Sequence, residues 1–385
     1  MSASGTPNAV QWLAQDSEQP LLPEATRDWC ARAAQLALET LPALSAQDPA
    51  ALRMAAIDAS QAAGLYGLTQ PAAFGGQEAD QLTLCAVRDT LAAARPPVLE
   101  ALLGPGPGVL AGATGLLAER YLQPLLRGDK RAGFGITEPD DAPFYTRAQL
   151  RQDQLIISGQ KSYVTGGASV DFVNTLVRVD GAPVLVPIDV TAPGVTRERV
   201  FETIDGSAHA AFRFDAVEVP AALMIGQPGD GLPRAMGQIG DTRLAIAATC
   251  VGQMRWVYGY LTEHLQSRTT AGDLRGDPLS VRLRLGELYT IAYGARSMLY
   301  RTARAAARGE RVINESMACK IAATEGLTRI IDTAIQLVGG KAVVSDHPLA
   351  QLYRQVRSLR LAEGATDVLY QNIARGRLEL GKGSI

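Results

Sequence analysis

Residues that bind metals or form crosslinks are scarce here: four cysteines and three histidines in 385 residues. Cys30, Cys85, Cys250 and Cys319 lie far apart, no CxxC pair occurs, and His209, His264 and His347 are equally scattered. Zinc sites and disulfide frameworks need clustered ligands, so no metal is expected and the thiols read as buried and reduced. Positive charge is not in excess either: Lys and Arg total 37 against 39 Asp and Glu, a formal net charge of −2. A nucleic-acid partner usually calls for a strongly basic domain, so none is expected. Missing too is any run near the roughly 18 apolar residues of a membrane-spanning helix. No basic residue precedes Arg27, no apolar core marks a secretory leader, and the closing Gly-Lys-Gly-Ser-Ile matches no retention or lipidation signal. A cytoplasmic location is the expectation.

What remains is the composition of a folded globular chain, 47% hydrophobic and 20% charged, long enough for roughly two or three domains. Its texture changes twice. Residues 25–128 are rich in Ala and Leu with helical spacing, broken by Pro/Gly loops at Thr69–Gly76 and Gly104–Gly108. The second loop lacks the GxGxxG order and no strand precedes it, so it reads as an interhelical turn and not as a phosphate cradle. Between 130 and 228 the segments become short and β-branched: Leu155-Ile156-Ile157-Ser158, Phe172 to Val177, Val184 to Ile188 and Ala211 to Asp215. Strands at that spacing without helices between them predict a small antiparallel barrel or sandwich. Helical periodicity then returns, with Val251, Met254, Tyr258 and Leu261 on one face, and Leu327, Ile331, Ile335 and Val338 on another. Four helices over 236–266, 280–308, 313–338 and 348–379 predict a bundle. The expected fold is α+β: an N-terminal helical domain (1–129), a middle β-barrel or sandwich domain (130–230) and a C-terminal four-helix bundle (231–385).

Four segments in order carry a resemblance. Gly135-Ile136-Thr137-Glu138-Pro139 and Gly159-Gln160-Lys161-Ser162-Tyr163-Val164-Thr165 lie in the strand region. Gln336-Leu337-Val338-Gly339-Gly340 and Glu363-Gly364-Ala365-Thr366-Asp367 lie in the last helices. Together they resemble the "TEP", "GxKxWITN", "QxxGG" and "YEGTSQ" motifs of the acyl-CoA dehydrogenase family, and the likeness extends over nearly the whole chain. The resemblance implies a FAD-dependent α,β-dehydrogenation of an acyl thioester, carried on CoA or on an acyl carrier protein. Glu363 would take the α proton while a hydride passes to flavin N5. A lone loop glutamate is by default a solvated carboxylate; its place in the fourfold pattern turns the reading toward a base whose pKa is lifted by desolvation.

The same resemblance implies roles for other residues. Phe134, Ile136 and Thr137 would meet the isoalloxazine ring, Tyr163 would replace a tryptophan packed beside it, and the Thr165 hydroxyl would reach N5. Ordinary barrel packing explains Phe134 and Ile136 equally well. Arg268 matches an arginine that pairs with the FAD pyrophosphate. Gln336, Gly339 and Gly340 match a segment that reaches the FAD of a neighbouring subunit, which implies a homodimer or homotetramer. Thr366 would lie near a helix N-terminus by the cofactor, and Gly364 would allow a tight turn beside the substrate. Arg243 aligns with an arginine near the substrate channel, a surface ion pair being an equal alternative; Thr242 stands where some relatives place their base. Arg301, Arg304, Arg308 and Arg311 read as a solvated helix face. An electron-transferring flavoprotein or similar acceptor is the implied partner.

Three departures bear on the substrate. The loop after "TEP" reads Asp140-Asp141-Ala142-Pro143-Phe144-Tyr145, two acids that would repel an anionic CoA. Ala271 stands where an adenine-packing phenylalanine is expected, and Arg354-Gln355 replaces Arg-Asp. The altered loop fits a carrier-protein thioester, the other two imply weaker FAD binding, and together they leave room for relatives' other flavin chemistries (oxidation by O2, β-elimination, isomerisation) or a catalytically silent flavoprotein.

Overall fold

The computed structural model describes residues 18–44 and 48–381. The readings of the N-terminal leader and of residues 382–385 lie outside the described residues. Helices come first: α1 (Glu24–Gln35), α2 (Pro49–Ala62) and α3 (Gln81–Ala94). Each of the last two starts on an aspartate: Asp48 accepts from the Ala50 and Ala51 N–H groups, and Asp80 from Thr83 N–H at 2.8 Å. After a short helical run over 115–127, seven strands follow: β1 (Ala132–Gly135), β2 (Arg147–Arg151), β3 (Gln154–Thr165), β4 (Phe172–Val179), β5 (Ala182–Asp189), β6 (Val195–Glu202) and β7 (Ala208–Pro220). The last helices are α4 (Gly231–Gln266), α5 (Leu279–Ala307), α6 (Ile313–Val338), α7 (Pro348–Leu359) and α8 (Thr366–Leu378).

Two compact units result. One comprises Met1–Leu68, Glu78–Leu103 and Gly240–Ile385, so helices from both ends of the chain share a core; the other comprises Thr69–Gln77 and Gly104–Ile239.

The helical core is built on α3, whose buried stretch includes Cys85, Val87 and Leu91, together with Val251, Met254 and Leu261 of α4 and Leu327, Ile330 and Ile331 of α6. Burying α3 is possible because its one acid within the core, Asp89, is neutralised: Arg255 reaches it at 2.8 Å, Arg296 at 3.0 Å and the Tyr300 hydroxyl at 2.9 Å. Close approach of α4 to α3 depends on Gly252. A Cβ there would run into the Asp89 carbonyl oxygen and lie 2.6 Å from Ala92 Cβ. Gly252→Ala is expected to destabilise the protein by about 1–3 kcal/mol through overpacking. An unchanged urea midpoint would show that the helices can separate freely.

The strands form one seven-stranded sheet in the order β1-β4-β2-β3-β7-β6, with β5 on the other side of β4. It is mixed, not antiparallel as expected. β1 pairs in parallel with β4 (Ala132↔Phe172 to Gly135↔Thr175), as does β2 (Arg147↔Arg178, Ala148↔Val179). The chain leaves β1, completes the β2–β3 hairpin and returns in the direction of β1, a route that alternation of apolar residues does not encode. Leu155, Ile157, Phe172, Val173, Phe212 and Phe214 fill the core of this unit.

The predicted fourth bundle helix is two. α7 ends at Leu359 and α8 begins at Thr366, because Glu363 and Gly364 between them have φ of 54° and 107°. Left-handed backbone cannot continue a right-handed helix. All four cysteines are buried and no disulfide joins them. Among the described residues no helix is long and apolar enough to cross a membrane, and no group of three or more His, Cys, Asp or Glu could hold a metal ion.

Candidate active site

The turn between α7 and α8 carries Glu363, half-buried and in a left-handed conformation unusual for a residue with a side chain. Three side chains from two helices hold the turn around it. From α4, Arg243 Nε donates to the Glu363 carbonyl oxygen at 3.0 Å. From α6, the Lys320 ammonium donates to the carbonyl oxygens of Arg360 and Gly364, both at 2.9 Å. One turn further along α6, Glu325 Oε1 accepts from Arg360 Nε at 2.8 Å and from the Thr366 hydroxyl at 2.7 Å. Leu369 anchors the start of α8 against Met317 and Ile321. Gly364 has no room for a side chain: a Cβ would lie 2.7 Å from Leu369 Cδ2.

The electrostatics follow from this packing. Burial pushes the Glu363 carboxyl above the usual carboxylate range, with Arg243 and Lys320 pulling the other way. Burial also pushes the Lys320 ammonium down to about 8, and Cys250, whose charged form it would stabilise, up to about 12. The Glu363 N–H has no partner among the described residues. A poised carboxylate thus stands beside an unsatisfied backbone donor, which is what removing a proton next to a carbonyl requires.

The β unit presents a second surface. Gly133 and Gly135 of β1 lie flush on the core, where a Cβ would sit 2.7 Å from Val164 Cγ1 or 2.9 Å from Val173 Cγ1. Phe134 and Ile136 alternate with them along the strand, half-buried and packed against the margin of the same core. The strand's end is pinned to β3. Ser162 N–H donates to the Thr137 carbonyl at 2.9 Å, and Lys161 Nζ reaches Glu138 at 2.7 Å and the Ile136 carbonyl at 3.3 Å. Burial opposes the Glu138 charge, but the Lys161 ammonium and the Thr146 N–H hold its carboxyl below the usual range. A bulge between Lys161 and Val164 turns Tyr163 outward with φ of 53°. Its exposed ring meets Phe201 edge-on at 5.4 Å, and Phe201 stacks on His209 at 5.7 Å. The Thr165 hydroxyl lies 3.2 Å from His209 Nε2. Apolar side chains bordered by threonine hydroxyls suit a planar ring with polar edges, so Phe134, Ile136, Thr137, Tyr163 and Thr165 fit a flavin.

Beside this surface opens a cavity of about 680 Å³, lined by Ile136, Glu138, Asp140, Tyr145, Lys161 and Arg178 among others. Arg178 covers the Tyr145 ring at 4.6 Å and Arg147 the Phe144 ring at 4.3 Å.

Arg268 is exposed and donates to the Gly272 carbonyl of its own loop at 2.6 Å. Gln336, Gly339 and Gly340 are exposed at the end of α6. Arg243 is only 9% exposed, which removes the surface ion pair as an alternative. The Thr366 hydroxyl is occupied by Glu325. The arginine run is broken up: Arg304 pairs with Glu18 at 2.9 Å, and Arg308 with Glu310 at 2.7 Å. Sequence reasoning missed Lys320, Glu325 and His209. A lysine between Cys319 and Ile321 on an apolar helix face was the available signal for the first.

A family model described as "Acyl-CoA dehydrogenase, C-terminal domain" matches residues 229–378. A 3-(aryl)acrylate reductase of Clostridium sporogenes is 24% identical over 334 residues, 82% of this chain and 88% of the relative. A cyclohexane-1-carbonyl-CoA dehydrogenase of Geobacter metallireducens is 26% identical over 328 residues, covering 81% and 86%. The solved structure of a protein described as a probable acyl CoA dehydrogenase from Mycobacterium abscessus superposes with a TM-score of 0.81 at 25% identity, over 92% of this chain and 98% of the other. The chain is therefore a divergent member of the acyl-CoA dehydrogenase family.

Proposed function

We propose that this protein is a FAD-dependent oxidoreductase acting on the CH–CH bond α,β to an acyl thioester, with Glu363 as base. The observation that carries the reading is the α7–α8 turn: a half-buried carboxyl raised by desolvation, on a left-handed residue whose N–H is unpartnered. In this reading the Glu363 carboxylate takes the α proton. Its N–H, which has no acceptor among the described residues, binds the thioester carbonyl and stabilises charge developing there. Arg243 and Lys320 hold the turn while the proton moves. Bound FAD supplies the acceptor for the hydride that leaves the β carbon, so the substrate loses two electrons and two hydrogens and gains a double bond. Phe134, Ile136 and Tyr163 would hold the ring, and Thr137 and Thr165 would supply hydroxyls to it.

The cavity beside Ile136 has the size of a small-molecule site and suits the carrier arm of the thioester. Asp140 on its wall, with Asp141 next in sequence, disfavours the phosphates of CoA, which supports an acyl carrier protein as the thioester carrier. An electron-transferring flavoprotein or similar acceptor would reoxidise the flavin. A homodimer or homotetramer is supported by the bare face of α5, where Leu279, Leu283, Tyr289 and Tyr293 are exposed; light scattering reads it. The similarity to an acrylate reductase supports a second reading, the same chemistry run toward saturation.

The test is an anaerobic visible spectrum of FAD-loaded protein, titrated with butyryl-CoA and cyclohexane-1-carbonyl-CoA and with the same acyl groups on an acyl carrier protein. One thioester is expected to bleach the flavin band. If the carrier-protein form bleaches it at lower concentration, and Asp140→Asn with Asp141→Asn narrows the gap at low salt, the carrier assignment stands. A flavin band that no thioester changes would favour the family's other chemistries, and a protein that takes up no FAD would overturn the reading.

A further inference from the structure

We infer that Lys320 is a positioning residue for the Glu363 base, acting through the backbone of the α7–α8 turn and not on the substrate. The inference rests on the reading of Glu363 as base, but the geometry that motivates it does not. Lys320 is 0% exposed. Among the described residues its ammonium has no carboxylate within ion-pair distance; its hydrogen-bond partners are the carbonyl oxygens of Arg360 and Gly364, both at 2.9 Å. A buried charge with no carboxylate in direct contact, only Glu325 and Glu363 acting on it at longer range, is an expensive group for a fold to keep, and a methionine of similar length would fill the space without that cost. Such a departure from packing economy is expected where a site needs it.

The two carbonyls show what is needed. Arg360 follows the last residue of α7 and Gly364 lies just before α8, so one ammonium ties together both ends of the intervening segment 361–363. That segment ends on Glu363, whose left-handed φ of 54° is a conformation that a free turn would relax. Arg243 holds the third carbonyl, that of Glu363 itself. One basic side chain on a terminal carbonyl is ordinary helix capping, but two cations from other helices on three carbonyls of one short connection go beyond what capping asks. With the tether gone the two helices stay packed through Leu369 and Val356, but the carboxylate is free to shift. A displacement of about 1 Å can cost roughly 100-fold in rate.

The experiment uses FAD-loaded protein and whichever of butyryl-CoA and cyclohexane-1-carbonyl-CoA, as the CoA or carrier-protein thioester, bleaches the wild type. Stopped-flow flavin reduction is measured for wild type, Lys320→Met, Glu363→Gln and the double variant. Lys320→Met is expected to slow reduction about 10- to 100-fold with half-saturation little changed. The double variant should be no slower than Glu363→Gln, because a positioning residue has nothing left to position. Hydrogen-exchange mass spectrometry supplies a readout free of substrate. The amides of Leu361, Ala362 and Leu369, bonded to turn carbonyls at Ser358 and Ala365, should exchange about tenfold faster in Lys320→Met, while those of α6 keep wild-type rates. If Lys320→Met does not fold, Lys320→Gln takes its place, a donor too short to span both carbonyls. Reduction within twofold of wild type, or penalties that multiply in the double variant, would overturn the inference. Should Glu363→Gln alone leave the rate unchanged, the base reading falls instead, and the exchange data still decide whether Lys320 holds the turn.

Discussion

Replacing Glu363 by Gln should slow substrate-driven flavin reduction by about 100- to 10,000-fold, the range by which general bases contribute, while FAD uptake is unaffected. The side chain keeps its shape and loses only its ability to accept the proton. In the wild type, activity should climb as pH rises through the Glu363 pKa, and this limb should lie above the ordinary carboxylate range of about 4.3, because burial raises that group. The same shift has a sign for stability. A carboxyl whose folded-state pKa is raised contributes stability that is present in full below its unfolded value and is lost as pH rises through the folded one. At pH 8 the ionised carboxylate is therefore a net cost. The variant should melt above wild type at pH 8, and the two should converge near pH 4. Wild-type rates in the variant, at any pH, would remove Glu363 from the chemistry; a lower melting temperature at pH 8 would mean that the carboxylate is stabilised in its pocket.

Asp89→Asn is expected to be the most destabilising single change at a polar position, by about 3–5 kcal/mol, read from the urea midpoint. Asp89 is fully buried, with Arg255 at 2.8 Å, Arg296 at 3.0 Å and the Tyr300 hydroxyl at 2.9 Å. Burial works against its charge, but the two guanidinium groups outweigh that and hold its carboxyl below the usual range. Its contribution is thus present above about pH 4 and lost as pH falls through the lowered value. Asparagine preserves volume and leaves two guanidinium groups beside a neutral amide in the helical core. The cost should fall away in acid, where the wild-type carboxylate is itself protonated. A change under about 1 kcal/mol would mean that water or a rearranged partner reaches the arginines.

Much of this was legible in the chain. The change from helical to strand spacing near 130, and back near 230, reflects periodicities that burial imposes on every residue of an element. The turn at Gly364 was legible only through the likeness of Glu363-Gly364-Ala365-Thr366-Asp367 to a family motif. The stretch 348–379 nevertheless read as one helix, although α7 and α8 bury their apolar residues in different clusters, Leu352 and Val356 in one and Leu369 in the other. The direction of β1 and β2 against β4 was not legible, because alternation is the same for parallel and antiparallel partners. Nor was the pairing of Lys320 with Arg360 and Gly364, which are 40 and 44 residues away along the chain. Backbone carbonyls carry no sequence signature, so a side chain that binds them announces itself only as a charge in the wrong place.

The clamp around the turn grips main-chain atoms: three carbonyls are held, and none of these bonds involves the side chain at position 363. Scaffold and reagent are therefore separable. Any side chain that tolerates a left-handed backbone could occupy position 363 without disturbing the mount, with asparagine, aspartate and glycine the least strained choices. A lineage could thus trade one reaction for another by a single codon change, and redesign of this enzyme could begin there with the surrounding framework left intact.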